Sequence, residues 1–150
     1  MINQFPILHT VYLSLGSNEG YRRRNLRRAI EKIGELIGVV ERQSAFLETK
    51  PWGYESDKKY LNACVKVLTE LSPRDVLALT QQIERQLGRR QKTTFNAQLS
   101  TFNYHDRPID IDILLYDDIT VDEPDLKIPH PRMYERDFVM IPLREIMETD

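Results

Sequence analysis

The stretch RPIDIDILLYDD, Arg107 to Asp118, holds the residues whose chemistry is easiest to read. Ile109, Ile111 and Ile113 alternate with acids and should bury on one face of a strand, which gathers Asp110 and Asp112 on the other. Two positions apart on a strand, the two α-carbons lie roughly 6.6 Å from each other. Carboxylates so placed can converge on one hard cation or bracket two. Paired Mg2+ ions about 3.5–4 Å apart are a common clamp for phosphoryl chemistry. D-x-D alone also fits a solvent-facing acidic strand. Arg107 favours the metal reading, because a guanidinium beside paired carboxylates suits an anion that the metal also holds.

Further cationic groups can be read in two ways. His130, Arg132 and Arg136, in PHPRMYERDF, follow a proline-fixed turn and either lie on the surface or reach the same anion. Arg89, Arg90 and Lys92 follow a helical pattern and could simply complement its C-terminal end. YRRRNLRR, from Tyr21, reads more readily as a solvated helix face than as a binding patch. GSNEG lacks the Walker pattern, so any nucleotide is bound in another way. Tyr60 and Asn62 share one face at the start of a strand, and an aromatic beside an amide suits a flat, hydrogen-bonding ring.

The elements that position these residues follow from periodicity. VYLSLG alternates as a strand. A helix follows with Leu26, Ala29, Ile30, Ile33, Leu36 and Ile37 at helical spacing, stopped by Gly38. Val39 to about Leu47 is β-compatible, ETKPWGYESDKK is a polar loop, and YLNACVKVLTEL is a second strand. SPRDVLALTQQIERQLG is the clearest helix, with Ser72 as N-cap, Pro73 first, Asp75 at the positive end, and Val76, Leu79, Ile83 and Leu87 as the buried stripe. A long polar stretch, Arg89 to Asp106, leads to the acidic strand. DDITVDEP offers a short returning strand, and the last segment begins extended and closes as a short helix. The order β-α-β-β-α-β is α+β and ferredoxin-like: an antiparallel sheet with helices on one face, the active site on the other, and a C-terminal extension.

The 150 residues suit a single domain, 1–150, without repeats or low-complexity segments. With 41% hydrophobic and 29% charged residues and a net charge of −2, the chain is globular and ill suited to coating nucleic acid. One cysteine, Cys64, excludes an internal disulfide and fits a reducing compartment as a buried thiol. No apolar run reaches a membrane span and no signal-peptide pattern opens the chain, so the expected location is cytoplasmic.

Together, YLSLGSNEG, ETKPWG, YLNA, TQQIERQLGR, RPIDIDILLY and IPHPRMYERDFVMIPLREI resemble the 6-hydroxymethyl-7,8-dihydropterin pyrophosphokinases, in that family's order and from Tyr12 to about Ile146. The resemblance implies transfer of pyrophosphate from ATP to the pterin hydroxymethyl oxygen with release of AMP. It implies a pterin stacked between Tyr60 and Phe138, with Asn62 and the backbone near Thr49 and Trp52 bonding the ring edge. Asp110 and Asp112 would hold two Mg2+ ions. Gln81, Glu84, Arg89, Lys92, Tyr104, Arg107, Ile113, His130 and Arg136 would serve the ATP side, with Arg89 and Arg107 counted as catalytic beside the two aspartates. The partners implied are small molecules, without nucleic acid or membrane, and the chain is expected to be a monomer.

Two rivals fit parts of this pattern. An RNA-recognition module shares the fold class, but its aromatic strand signature is absent. Another Mg2+-dependent nucleotidyl or phosphoryl transferase would explain Asp110 and Asp112, but not Tyr60, Asn62 and Phe138.

Overall fold

The computed structural model describes residues 6–50, 59–88 and 108–147. β1 (His9–Ser17) is the central strand and alternates Val11, Leu13 and Leu15 toward the main core. α1 (Arg22–Leu36) follows and turns Leu26, Ala29 and Ile33 inward. Gly38 ends this helix for a reason of space, since a Cβ there would collide with the Leu68 carbonyl oxygen of the neighbouring strand.

The β-compatible segment forms two short strands, β2 (Val39–Gln43) and β3 (Leu47–Thr49), both laid antiparallel along β4 (Tyr60–Thr69). Ser44 sits in the interruption. Its N–H donates to the Cys64 carbonyl and its Oγ accepts from the Cys64 N–H, both at 2.9 Å, so the ladder is kept by a side chain where the strand breaks.

α2 (Pro73–Gln86) has the expected cap, with Ser72 Oγ accepting from the Asp75 N–H at 3.1 Å, and Gly88 follows it at φ +109°. The buried stripe is rotated from the expected one. Val76 and Ile83 are buried as predicted, together with Thr80 and Glu84, whereas Leu79 and Leu87 are half-buried at the margin of the core.

β5 (Asp110–Tyr116) completes the sheet, whose order is β2-β4-β1-β5 with β3 continuing the β2 edge. Every described pairing in it is antiparallel. β6 (Val121–Glu123) and β7 (Leu126–Ile128) pair only with each other, so the expected returning strand forms a separate hairpin. Arg74 at the start of α2 holds this hairpin through Glu123 and Asp125.

The C-terminal segment makes a 3-10 turn, Met133–Glu135, and then α3 (Asp137–Met147). This helix lies on the face opposite α1 and α2, so that face is only partly open. Val139, Leu143 and Ile146 pack with Cys64, Leu114 and Met133 in a second core there. A bulge opposite Tyr12 and Leu13 turns both Leu114 and Leu115 toward α3, which closes one half of the face and leaves the other half for the site.

Candidate active site

Register builds the site. Asn62 pairs with Gly16, and Gly16 pairs with Asp110, so these three form one row across β4, β1 and β5. Cys64, Ser14 and Asp112 form the next row. Asn62 and Asp110 therefore stand two strand spacings apart, roughly 9.5 Å, on the same face. Gly16 between them has no side chain, which leaves a trough. A Cβ at Gly16 would stand 3.2 Å from both Asn62 Oδ1 and Tyr60 Cδ1, so a side chain there would crowd the trough.

A cavity of about 320 Å3 occupies this half of the sheet. Thr49, Tyr60, Asn62, Asp110, Asp112, His130, Arg136 and Phe138, all expected in the site, line it together. Ser14, Gly16, Lys50 and Arg132 line it as well, and they were not assigned from sequence apart from the open reading of Arg132. Ser14 and Gly16 were in principle legible, as the small residues in the outward phase of a strand whose other phase is Val11, Leu13 and Leu15.

Asn62 is nearly fully buried, at 2% exposure, and its orientation is set by the edge strand. Its Nδ2 donates to Thr49 Oγ1 at 2.7 Å and to the Leu47 carbonyl at 3.2 Å. Both amide hydrogens are thus spent on protein acceptors, and Oδ1 is turned toward Gly16 and Tyr60. An amide held in this way presents an acceptor to a ring N–H or amino group.

The opposite wall comes from the segment between β7 and α3. His130 N–H donates to the Leu114 carbonyl at 3.0 Å, tying the turn to β5. The Arg132 N–H donates to His130 Nδ1 at 3.2 Å, which makes Nδ1 an acceptor and places the proton of the neutral ring on Nε2. Burial first, then the positive charges of Arg136 and Arg132, push the His130 pKa below its usual range, while Asp110 opposes them. The Arg136 guanidinium lies 5.6 Å from the centre of the Phe138 ring, so one cation and one aromatic wall are held together.

Three expected residues lie off the cavity. Gln81 is exposed on α2, on the other side of the sheet. Glu84 is buried there, and its Oε2 accepts from the Ile111 N–H at 2.7 Å. Ile113 turns its side chain into the helix-side core. α2 and the Ile111/Ile113 phase of β5 face away from the cavity, and of these three Glu84 is joined to the strand that carries the two aspartates. Trp52, Arg89, Lys92, Tyr104 and Arg107 lie outside the described residues.

The donor set suits a hard divalent cation. Asp110 and Asp112 offer oxygen ligands to one cavity, and no group of three or more His, Cys, Asp or Glu gathers as a metal site among the described residues. Mg2+ commonly takes one or two carboxylates and completes its shell with water and phosphate oxygens, which matches such a pair.

Comparison with known proteins agrees with this geometry. The family model for 7,8-dihydro-6-hydroxymethylpterin-pyrophosphokinase matches residues 12–148. A 2-amino-4-hydroxy-6-hydroxymethyldihydropteridine pyrophosphokinase of Porphyromonas gingivalis is 49% identical over 91% of this chain and 89% of its own. That of Aquifex aeolicus is 40% identical over 91% of this chain and 79% of its own. Among solved structures, wild-type HPPK-DHPS of Plasmodium falciparum superposes with a TM-score of 0.65 at 15% identity. An HPPK-DHPS in complex with substrates gives 0.71 at 14%. These likenesses show the ferredoxin-like fold. They cover 93% of this chain but only 41% and 40% of those longer ones. The chain belongs to the 7,8-dihydro-6-hydroxymethylpterin-pyrophosphokinase family, ATP-dependent transferases that move a pyrophosphoryl group onto hydroxymethyl-dihydropterin.

Proposed function

We propose that the cavity works as two joined subsites, a pterin subsite on β3 and β4 and a triphosphate subsite on β5 and the His130–Arg136 segment. The observation that carries this reading is the pair of adjacent rows, Asn62–Gly16–Asp110 and Cys64–Ser14–Asp112, which bring a buried amide and two carboxylates onto one face. The pterin would lie over Gly16 between Tyr60 and Phe138, with Asn62 Oδ1 accepting from its edge and Thr49 steadying the amide. An amide locked by two protein acceptors discriminates strongly, because an unmatched ring would leave it buried without a partner.

Asp110 and Asp112 would hold two Mg2+ ions, which when bound supply charge neutralisation and acidify and orient the attacking hydroxyl. The chain's own groups would arrange the rest. His130 would offer Nε2–H to a phosphate oxygen, Arg136 would add a fixed positive charge, and Glu84 would steady β5 from behind. This reaction depends on alignment and neutralised charge more than on a strong protein base. Roles for Trp52, Arg89 and Arg107 are supported by the resemblance of their segments, and those of Lys92 and Tyr104 by their places in the family's order alone. Residues 1–150 would act as one domain and as a monomer. No helix among the described residues is long and apolar enough to cross a membrane. A cytoplasmic setting suits the single reduced thiol.

The test is incubation with ATP, Mg2+ and 6-hydroxymethyl-7,8-dihydropterin, following the nucleotide product. AMP formed only with pterin present is expected. ADP, or a product independent of pterin, would overturn the reading.

A further inference from the structure

The two main helices of this protein are built on opposite electrostatic plans. α2 has a side-chain cap, Asp75 in its first turn and Arg85 in its last, all as the helix dipole favours. α1 has no side-chain cap, no acid in its first turn and no base in its last. Its first two turns carry five arginines instead, at positions 22, 23, 24, 27 and 28. Positive charge crowded at the positive end of a helix works against that helix, and local conflicts of this kind mark surfaces kept for another purpose.

Four of the five face outward. At 100° per residue, Arg23, Arg24, Arg27 and Arg28 share the side opposite Leu26, Ala29 and Ile33, and all four are exposed. Arg24, Arg27 and Arg28 have no carboxylate partner among the described residues. Arg22 is tied down, to Glu48 at 2.7 Å and to the Lys59 carbonyl at 2.8 Å.

Beside these arginines runs a groove of about 600 Å3 with Phe46 and the buried Leu61 at its floor, Glu48 on its wall with its charge paired to Arg22, and Tyr21 at its edge 79% exposed. Arg23 lies 5.3 Å over the Phe46 ring. Leu61 falls between Tyr60 and Asn62, so the groove is the back of the strand whose front lines the cavity.

We infer that this groove docks an acidic segment of another protein, one whose carboxylates alternate with large apolar side chains. The carboxylates would meet the guanidinium forks and the apolar groups would pack on Tyr21 and the exposed part of Phe46. A nucleic acid fits less well. The basic track from Arg23 to Arg28 rises only about 7.5 Å, and Glu31 and Glu35 continue the same outward face with the opposite sign. A phosphate backbone running along the helix would meet those two acids, whereas a short acidic segment ends before them.

Three probes at low and moderate salt test this: a synthetic peptide alternating Glu with Leu and Phe, a single-stranded RNA of equal length, and phosphatidylserine vesicles. The peptide should bind more tightly than either alternative. The triple variant Arg23→Glu, Arg24→Glu, Arg27→Glu should weaken it at least tenfold while leaving pyrophosphoryl transfer unchanged. A variant with the same charge change elsewhere, Arg85→Glu, Lys127→Glu, Arg144→Glu, should bind the peptide within about twofold of the parent. Equal weakening in both triple variants, tighter binding of RNA or vesicles, or no peptide binding would each overturn the inference. Circular dichroism and retained activity establish that each variant is folded.

Discussion

The Glu84 carboxylate accepts a hydrogen bond from the Ile111 amide at 2.7 Å, with Ile111 standing between Asp110 and Asp112 on β5. A buried side chain of α2 thus fixes the strand position that spaces the two acids on the other face. Glu84→Ala leaves that amide without this acceptor, at a cost of about 1–3 kcal/mol. Thermal melts should show a loss of several degrees, recovered in large part by Glu84→Gln, which keeps an acceptor oxygen. Mg2+ titration of the Gln variant should be close to that of the parent. An Ala variant that melts like the parent would remove Glu84 from this role.

Asp112→Ala should separate catalysis from pterin recognition. If Asp112 is a ligand as proposed, its loss is expected to cost more than the roughly 10–100-fold typical of residues that only support a metal site. Pterin affinity, assigned in this proposal to the neighbouring row, should weaken far less. Measuring turnover and pterin binding on one preparation decides it, and equal losses would mean the metal row is misassigned.

Gly16→Ala probes the trough directly. The added methyl would press on Asn62 Oδ1 and Tyr60 from 3.2 Å. We expect a higher KM for the pterin with little change in the KM for ATP and a nearly unchanged melting temperature. A matching rise in both KM values would show that β1 itself had shifted.

His130 should titrate below its usual pKa of about 6.5 in the free enzyme. The sign follows from burial and two nearby guanidinium groups, which disfavour the imidazolium. As pH falls below about 6.5 the unfolded chain takes up this proton before the folded one, so stability declines on the acidic side. Adding an ATP analogue should raise the pKa, because a phosphate favours the charged ring. Imidazole NMR shifts report both, and a free value above 6.5 would contradict the geometry.

Cys64 is fully buried, and burial pushes its thiol up to about 12. It should stay unmodified by iodoacetamide in the native enzyme at pH 8 and react on unfolding in guanidinium chloride. Rapid native labelling would show that α3 lifts from the sheet.

Local chemistry was what the sequence displayed best. Ser72, Pro73 and Asp75 announce the start of α2 because a cap is built from neighbours in the chain. Ile109, Ile111 and Ile113 announce the face of β5 because alternation is local too. Ser14 and Gly16 were harder, since their importance comes from standing opposite Asn62 and Asp110, and pairing across strands is written in no short stretch. The side taken by α3 was hidden for the same reason: Val139, Leu143 and Ile146 read as an apolar stripe whichever face receives them. Leu79 and Leu87 gave up central core positions to Thr80 and Glu84, whose value lies in hydrogen bonds that hydrophobic periodicity does not register.

The ladder joining β4, β1 and β5 sets the core and the site with one alignment. A slip of β4 by a single residue would turn Leu61 and Ala63 into the cavity and push Asn62 and Cys64 under the helices. Such a chain would bury an amide where Leu13, Leu15 and Val65 now pack, so it would have no stable state to occupy. Misaligned catalysis and misfolding are therefore the same event, and a population that has folded has already been checked for the geometry its chemistry needs.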